Sequence, residues 1–382
     1  MNPTELDHSP LNDWVPTEVH DWEGKETNVL VLNYTMACPL QCDFCCYGCH
    51  PQRTEKMPLE LAFRLIKEAA ELGKFSSIGF TGGEPMLFLD ELLQIGRRLK
   101  GYGLPFTIAT AAHWAKSEKR AHEILEELAK VGLCRLNVSY DPSHAKFIPK
   151  KSILSAITAS SHLGIPTYVV GTFYSAFESM ENYLPEASDL AKVTLVTKYV
   201  SGVGRAASRN ITQSSYGLSL GLEALSCYRR IYHDMVVWHD GTVYPCCSTF
   251  NRATPGISIG NANVQSLREL WSRLDGSLMY RVMKRHGFER FYAIVKRLDP
   301  ALYELLPSSA DCVGPCSLCH SIFKDSEMAQ RISKVFDAYE QEKIDRSIDM
   351  LSNLLGEEGV IKVIEEALCT ESVETETNQT LT

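Results

Sequence analysis

The sequence predicts an α/β fold built on a parallel sheet, on three observations. Six short β-rich runs recur between residues 27 and 200, amphipathic helical stretches lie between them, and residues able to do chemistry cluster just after the first two runs. Parallel neighbours need crossover connections, and a helix is the usual one, so the alternation itself implies parallel strands. The runs are Thr27–Tyr34, Phe75–Phe80, Pro105–Thr110, Cys134–Tyr140, Thr167–Phe173 and Val193–Val200. Between the first two, Pro58 to Leu72 places Leu61, Leu65, Ala69 and Leu72 on one helical face, with Gly73 as its stop. Six units are too few for an eight-stranded barrel, so a partial (βα)6 barrel is expected, with active residues at the carboxyl ends of its strands.

After about Gly204 the rhythm changes. Leu222–Asp234 reads as a helix, Met235–Pro245 as a hairpin turning at Asp240-Gly241, and Val264–Leu274 as another helix. The expected organisation is an N-terminal extension (1–26), a core (27–206), a small cysteine-rich domain (207–320), a helical segment (321–369) and a tail (370–382) whose Thr, Glu and Ser content predicts disorder.

Composition narrows the function. The 38 basic and 47 acidic residues leave a net charge of −9 with no Lys/Arg block, which argues against nucleic acid or anionic lipid as partner. The start is polar and acidic, and no apolar run approaches the ~20 residues that span a bilayer. A cytoplasmic protein is expected. In that reducing compartment disulfides are rare, so the 13 cysteines, grouped at 38–49, 227–247 and 312–319, point to metal or redox work.

Cys38, Cys42 and Cys45 can wrap one loop around an iron-sulfur cube, leaving the fourth iron open to a substrate or cofactor. A zinc loop would use paired cysteines, which a lone triad after a strand suits poorly. The run Cys38-Pro-Leu-Gln-Cys42-Asp-Phe44-Cys45, with an aromatic residue before the last cysteine, resembles the motif of the radical S-adenosylmethionine (SAM) superfamily. Thr81-Gly82-Gly83-Glu84-Pro85, one unit later, is similar to that family's Gly-Gly-Glu-Pro segment, where glycines allow close backbone approach and the Glu84 carboxylate suits an α-ammonium. Ser139-Tyr140-Asp141-Pro142 and Gly202-Val203-Gly204-Arg205-Ala206 resemble two further family segments, while Thr110-Ala111-Ala112-His113 stands where relatives often have Thr-Asn-Gly.

By this resemblance Cys38, Cys42 and Cys45 hold a [4Fe-4S] cluster, and Phe44, Gly82, Gly83, Glu84, Pro85, Ser139 and Arg205 surround SAM. The cluster then breaks the S–C5′ bond of SAM to release a 5′-deoxyadenosyl radical. Cys46, Cys49 and His50 are read as structural, with extra ligation or hydrogen-atom donation as the other possibility.

Cys227, Gly241 and Cys246, with the Gly-x-x-Tyr-Pro-Cys run, resemble the opening half of a SPASM/twitch domain, and Cys312, Cys316 and Cys319 supply a closing half. The resemblance implies one auxiliary [4Fe-4S] cluster on Cys227, Cys246, Cys316 and Cys319, with Cys312 competing and Cys247 a bystander. Four cysteines also serve zinc. The expected function is a radical SAM oxidoreductase that crosslinks side chains of a ribosomally made precursor peptide, served by a reducing partner such as flavodoxin or ferredoxin. The alternative is a dehydrogenase or epimerase acting on a small molecule or a peptide residue. An iron-sulfur scaffold would leave Gly82 to Pro85 unexplained. No hydrogen donor or acid–base residue is identified.

Overall fold

The computed structural model describes residues 28–211, 213–217, 220–228 and 233–377. Six parallel strands run in chain order: β1 (Val29–Thr35), β2 (Ser77–Gly82), β3 (Phe106–Thr110), β4 (Leu133–Ser139), β5 (Thr167–Phe173) and β6 (Val193–Tyr199). They lie within a residue or two of the expected runs; Thr27 falls outside the described residues. Helices α1 (Leu59–Leu72), α2 (Leu89–Gly101), α3 (Glu118–Lys130) and α4 (Lys150–His162) make the first four crossovers, and a short α5 (Met180–Tyr183) lies in the fifth.

Strand alternation divides the sheet into two unlike faces. Leu30, Leu32, Ile78, Phe106, Ile108, Leu136, Val138 and Val169 are wholly buried against the helices. Arg135, Asn137, Ser139, Val170 and Thr172, on the opposite face, are only half-buried. Over β4 and β5 the inner wall is thus less tightly packed than the outer, whereas the inner-face residues Asn33, on β1, and Trp238 are buried.

The sheet continues past the sixth unit. β7 (Asp234–Trp238) pairs parallel to β1 on its free side, Val31 opposite Val236, and β8 (Thr242–Tyr244) and β9 (Gly260–Asn261) follow antiparallel. The hairpin at Asp240-Gly241 forms as expected, Gly241 taking φ 81°. The helix expected over Leu222–Asp234 does not: Leu222–Ala224 is a single turn, Leu225 is buried, and Asp234 already belongs to β7. Pairing with β1 begins at Asp234 and takes that residue from the expected helix. Residues 229–232 lie outside the described ones.

The remaining chain is helical: α6 (Leu267–Asp275), α7 (Leu278–Arg285), α8 (Gly287–Leu298), α9 (Pro300–Tyr303), α10 (Pro315–Phe323) and α11 (Ser326–Thr377). Gly356, at φ 73° and ψ 166°, breaks α11, which continues beyond residue 370 where composition predicts disorder. Among the described residues no helix is long and apolar enough to cross a membrane.

Phe291 anchors this helical layer. Its ring stacks on Phe336 of α11 at 5.0 Å and meets Phe323 of α10 edge-on at 5.9 Å. Truncating a fully buried Phe costs about 3–5 kcal/mol. Phe291→Ala is therefore expected to lower stability by that amount in denaturant unfolding and to speed proteolysis of α11, whereas Phe291→Leu should lose less than half as much. Equal losses for the two would remove the stacking argument.

Candidate functional site

The cysteine triad lies on the loop between β1 and α1. A turn closes its middle, with the Cys45 N–H donating to the Cys42 carbonyl at 3.2 Å. Cys42 is buried, while Cys38 and Cys45 are partly open. Burial pushes the Cys38 thiol up to about 12, and negative charge at Glu84, Cys42 and Cys45 adds to this. Cys45 goes the other way, down to about 5, because Cys49 donates a hydrogen bond to it and the Arg205 cation is near. Cys49, buried beside Cys45, is held well above the usual thiol range by that same bond. Three thiols on one short loop, none of them in a disulfide, are suited to cations that replace their protons, so the donor set fits an iron cluster.

The exit of β2 is pressed against this loop. The Gly83 N–H donates to the Thr35 carbonyl at 2.6 Å and the Glu84 N–H to Ala37 at 2.8 Å. A Cβ at Gly82 would sit 2.3 Å from the Thr35 carbonyl oxygen, and one at Gly83 2.1 Å from that of Ala37. The close approach these glycines permit is thus to the cysteine loop itself.

Glu84 is wholly buried, and both its oxygens are occupied. Oε1 accepts from the Met86 N–H at 3.0 Å, and Oε2 accepts from Thr110 Oγ1 at 3.0 Å and the Ala111 N–H at 2.7 Å. The carboxylate therefore ties the exit of β2 to that of β3 instead of standing open to an ammonium. Buried Pro85 starts the turn that follows. Ala112, where relatives often have glycine, adopts φ 57°, a strained conformation for an L-residue.

Arg205 also grips the loop. Its Nε donates to the Cys42 carbonyl at 2.6 Å, its Nη2 to that of Cys49 at 2.9 Å, and its own N–H to that of Cys45 at 3.1 Å. Phe44 is half-buried, its ring 5.8 Å from that of His144. Ser139 ends β4 on the open inner face.

Sequence reasoning passed over three residues. Nδ1 of His144 lies 2.8 Å from Asp141 Oδ2; burial opposes its charge, but the hydrogen bonds to Asp141 and Cys42 outweigh this and raise it to about 10. The Asp141-x-x-His144 spacing was the available signal. Asn33 and Trp238, register partners on β1 and β7, are wholly buried with Asn33 Oδ1 and Nδ2 and Trp238 Nε1 unpaired. Orphaned polar atoms on the inner face are what a polar ligand or water would satisfy. No local pattern marks them, because their pairing exists only once β7 joins β1.

The second group assembles from three distant segments. Cys246 is held above the usual thiol range chiefly by burial, with Cys316, Cys227 and Cys247 as charged neighbours; Cys319 is raised in the same way, with Cys246, Cys316 and Cys227 around it. Cys316 and Cys319 stand three apart on the first turns of α10 and so share a face. Cys312 is buried elsewhere, its Sγ 3.7 Å from the Ser308 carbonyl, with Asp311 and Lys324 as its charged neighbours. Cys227, Cys246, Cys316 and Cys319 are thus brought together, and Cys312 is not. Tyr47, from the triad loop, reaches the segment around Cys246: its hydroxyl donates to the Ser248 carbonyl at 3.4 Å and its ring meets Trp238 at 4.7 Å. Among the described residues no three His, Cys, Asp or Glu side chains close around a single metal ion; a cubane needs no such convergence, since its thiolates bind separate irons.

Residues 32–174 match the Radical SAM superfamily, and residues 227–289, starting at Cys227, match SPASM, an iron-sulfur cluster-binding domain. YydG of Bacillus subtilis (strain 168), named for peptide biosynthesis, is 27% identical over 315 residues, covering 81% of this chain and 97% of YydG. The PqqA peptide cyclase of Bradyrhizobium diazoefficiens is 30% identical over 115 residues, 29% of this chain and 28% of the cyclase. Among solved structures, BtrN in complex with AdoMet and 2-DOIA is 17% identical with a TM-score of 0.42, covering 68% of this chain and 88% of BtrN. The chain thus carries a Radical SAM domain, which implies SAM and a [4Fe-4S] cluster, and a SPASM domain, which implies auxiliary iron-sulfur.

Proposed function

We propose that this enzyme oxidatively crosslinks side chains of a ribosomally made precursor peptide. The observation that carries the reading is the near full-length correspondence with YydG, a protein named for peptide biosynthesis. The second thiol group supports the oxidative part, since crosslinking removes two hydrogens and needs an acceptor for the electron left behind. Bound together, SAM and the two clusters supply one electron inward, to make the 5′-deoxyadenosyl radical, and a route outward for that second one.

In this reading Cys38, Cys42 and Cys45 hold the SAM-binding cluster, within a core ending near residue 206. Cys227, Cys246, Cys316 and Cys319 hold the auxiliary cluster, within residues 207–320. Gly82, Gly83 and Pro85 present backbone to SAM, Phe44 and Ser139 border it, and Glu84 and Arg205 act by positioning, the one locking two strand exits and the other the loop. The half-buried inner face receives the peptide, and packing around it excludes water from the radical.

Reconstituted wild-type protein is expected to carry roughly eight irons, and the Cys38→Ala, Cys42→Ala, Cys45→Ala triple variant about half; full retention in iron and sulfide analysis would remove the triad assignment. Cys316→Ala and Cys319→Ala should each lose the auxiliary iron yet still cleave SAM with dithionite, forming 5′-deoxyadenosine without crosslinked product. Cys312→Ala should keep all its iron, and a loss there equal to that of Cys316→Ala would reassign the fourth ligand. Glu84→Ala leaves the buried donors of Met86 and Ala111 unpaired and should weaken SAM binding at least about tenfold in equilibrium dialysis. Unchanged affinity would show that the lock does not shape the SAM site.

A further inference from the structure

β6 is an edge strand with an intact row of backbone groups on its outer side. It pairs with β5 along its whole length, Val193 to Tyr199, without a register shift, and no described strand lies beyond it. Two hydrogen bonds set the phase of that pairing: the Thr167 N–H donates to the Lys192 carbonyl at 2.8 Å, and the Val200 N–H to that of Phe173 at 2.9 Å. In a parallel ladder this directs the N–H and C=O of Thr194, Val196 and Lys198 toward β5. Leu195, Thr197 and Tyr199 then turn theirs outward, and among the described residues their N–H groups have no partner.

Proteins usually blunt such an edge with proline, a bulge or a very short strand. The seven residues Val-Thr-Leu-Val-Thr-Lys-Tyr contain no proline and no bulge, and the one charge that guards the edge is Lys198. The strand also leads straight into the reactive centre. Five residues beyond Tyr199, Gly204 packs on the Cys45 and Cys46 carbonyls, and Arg205 then grips Cys42 and Cys49.

We propose that the substrate binds as an added strand along the outer edge of β6, extended, with every second side chain on the inner face of the barrel. Alternating donors and acceptors repeating every two residues, about 6.6 Å, are complemented by another extended backbone. Main-chain pairing tolerates many sequences, while the alternate side chains, passing Thr194, Val196 and Lys198, carry the selectivity. Lys198 on that face favours acidic or neutral residues over basic ones. The inference rests on the peptide-modifying reading and deepens it: the residues offered for hydrogen abstraction are spaced two apart.

The probe is an mRNA-displayed library of random peptides of about ten residues, selected on the reconstituted full-length enzyme with SAM bound. The tightest peptide is resynthesised with a single N-methyl group at each position in turn. Methylation at alternate positions is expected to weaken binding about tenfold or more, with the intervening positions within about twofold. Hydrogen exchange resolved to single amides should show new protection at Leu195, Thr197 and Tyr199. Tolerance of N-methylation everywhere, or protection confined to another element, overturns the proposal. So does protection of these amides without peptide in a dimer, because a second copy would then occupy the edge. If a peptide is crosslinked while the N-methyl pattern is flat, the docking mode falls and the peptide reading stands; if no peptide is bound or changed, both fall.

Discussion

The contact on which the site depends has no side chains in it. The exit of β2 lies directly on the exit of β1, with Gly83 and Glu84 donating main-chain hydrogen bonds to Thr35 and Ala37, immediately before Cys38. Backbones approach this closely only where no Cβ intervenes, and added methyl carbons at Gly82 and Gly83 would lie 2.3 and 2.1 Å from carbonyl oxygens. The same two glycines that mark the motif therefore determine where the cysteine loop begins. Glu84 extends this lock to β3, and a buried carboxylate with three donors is costly to disturb.

Arg205 completes the enclosure from the far side of the barrel. A guanidinium is a rigid fork of donors, and here it takes two carbonyls of one loop while its own N–H takes a third. The last of the six strands is thereby fastened to the loop following the first, without a ladder between β6 and β1. An open sheet can in this way keep its reactive loop fixed and still leave one edge unpaired.

The auxiliary site draws on the same sheet. Because β7 adds to β1, the hairpin leading to Cys246 is continuous with the strand that leads into the triad loop, and Tyr47 joins that loop to Trp238 and Ser248. Helix α10 then delivers Cys316 and Cys319 on one face, held from behind by the aromatic layer around Phe291. The two groups of thiols are thus supported by a single array of strands.

Much of this was legible in the residues alone. The six strands follow from β-rich runs between helical patterns, and the triad and the Gly-Gly-Glu-Pro segment from spacing and resemblance, because each is encoded within a short stretch of chain; the four later cysteines, spread over three distant segments, are offered by resemblance. Three things needed the fold. The helical pattern after Gly221 yields only a single turn, and by Asp234 the chain is already paired with β1. The roles of Glu84 and Arg205 depend on partners far off in sequence, and Asn33 meets Trp238 only across β1 and β7. The separation of Cys312 from Cys316 and Cys319 is a matter of helix geometry: the latter two lie three apart on α10 and face one way, while Cys312 precedes the helix and turns into another part of the core. Sequence alone determined which residue types are present and at what local spacing; the tertiary structure decided which of them meet, because the hydrogen bonds and buried charges involved join segments that only packing brings together.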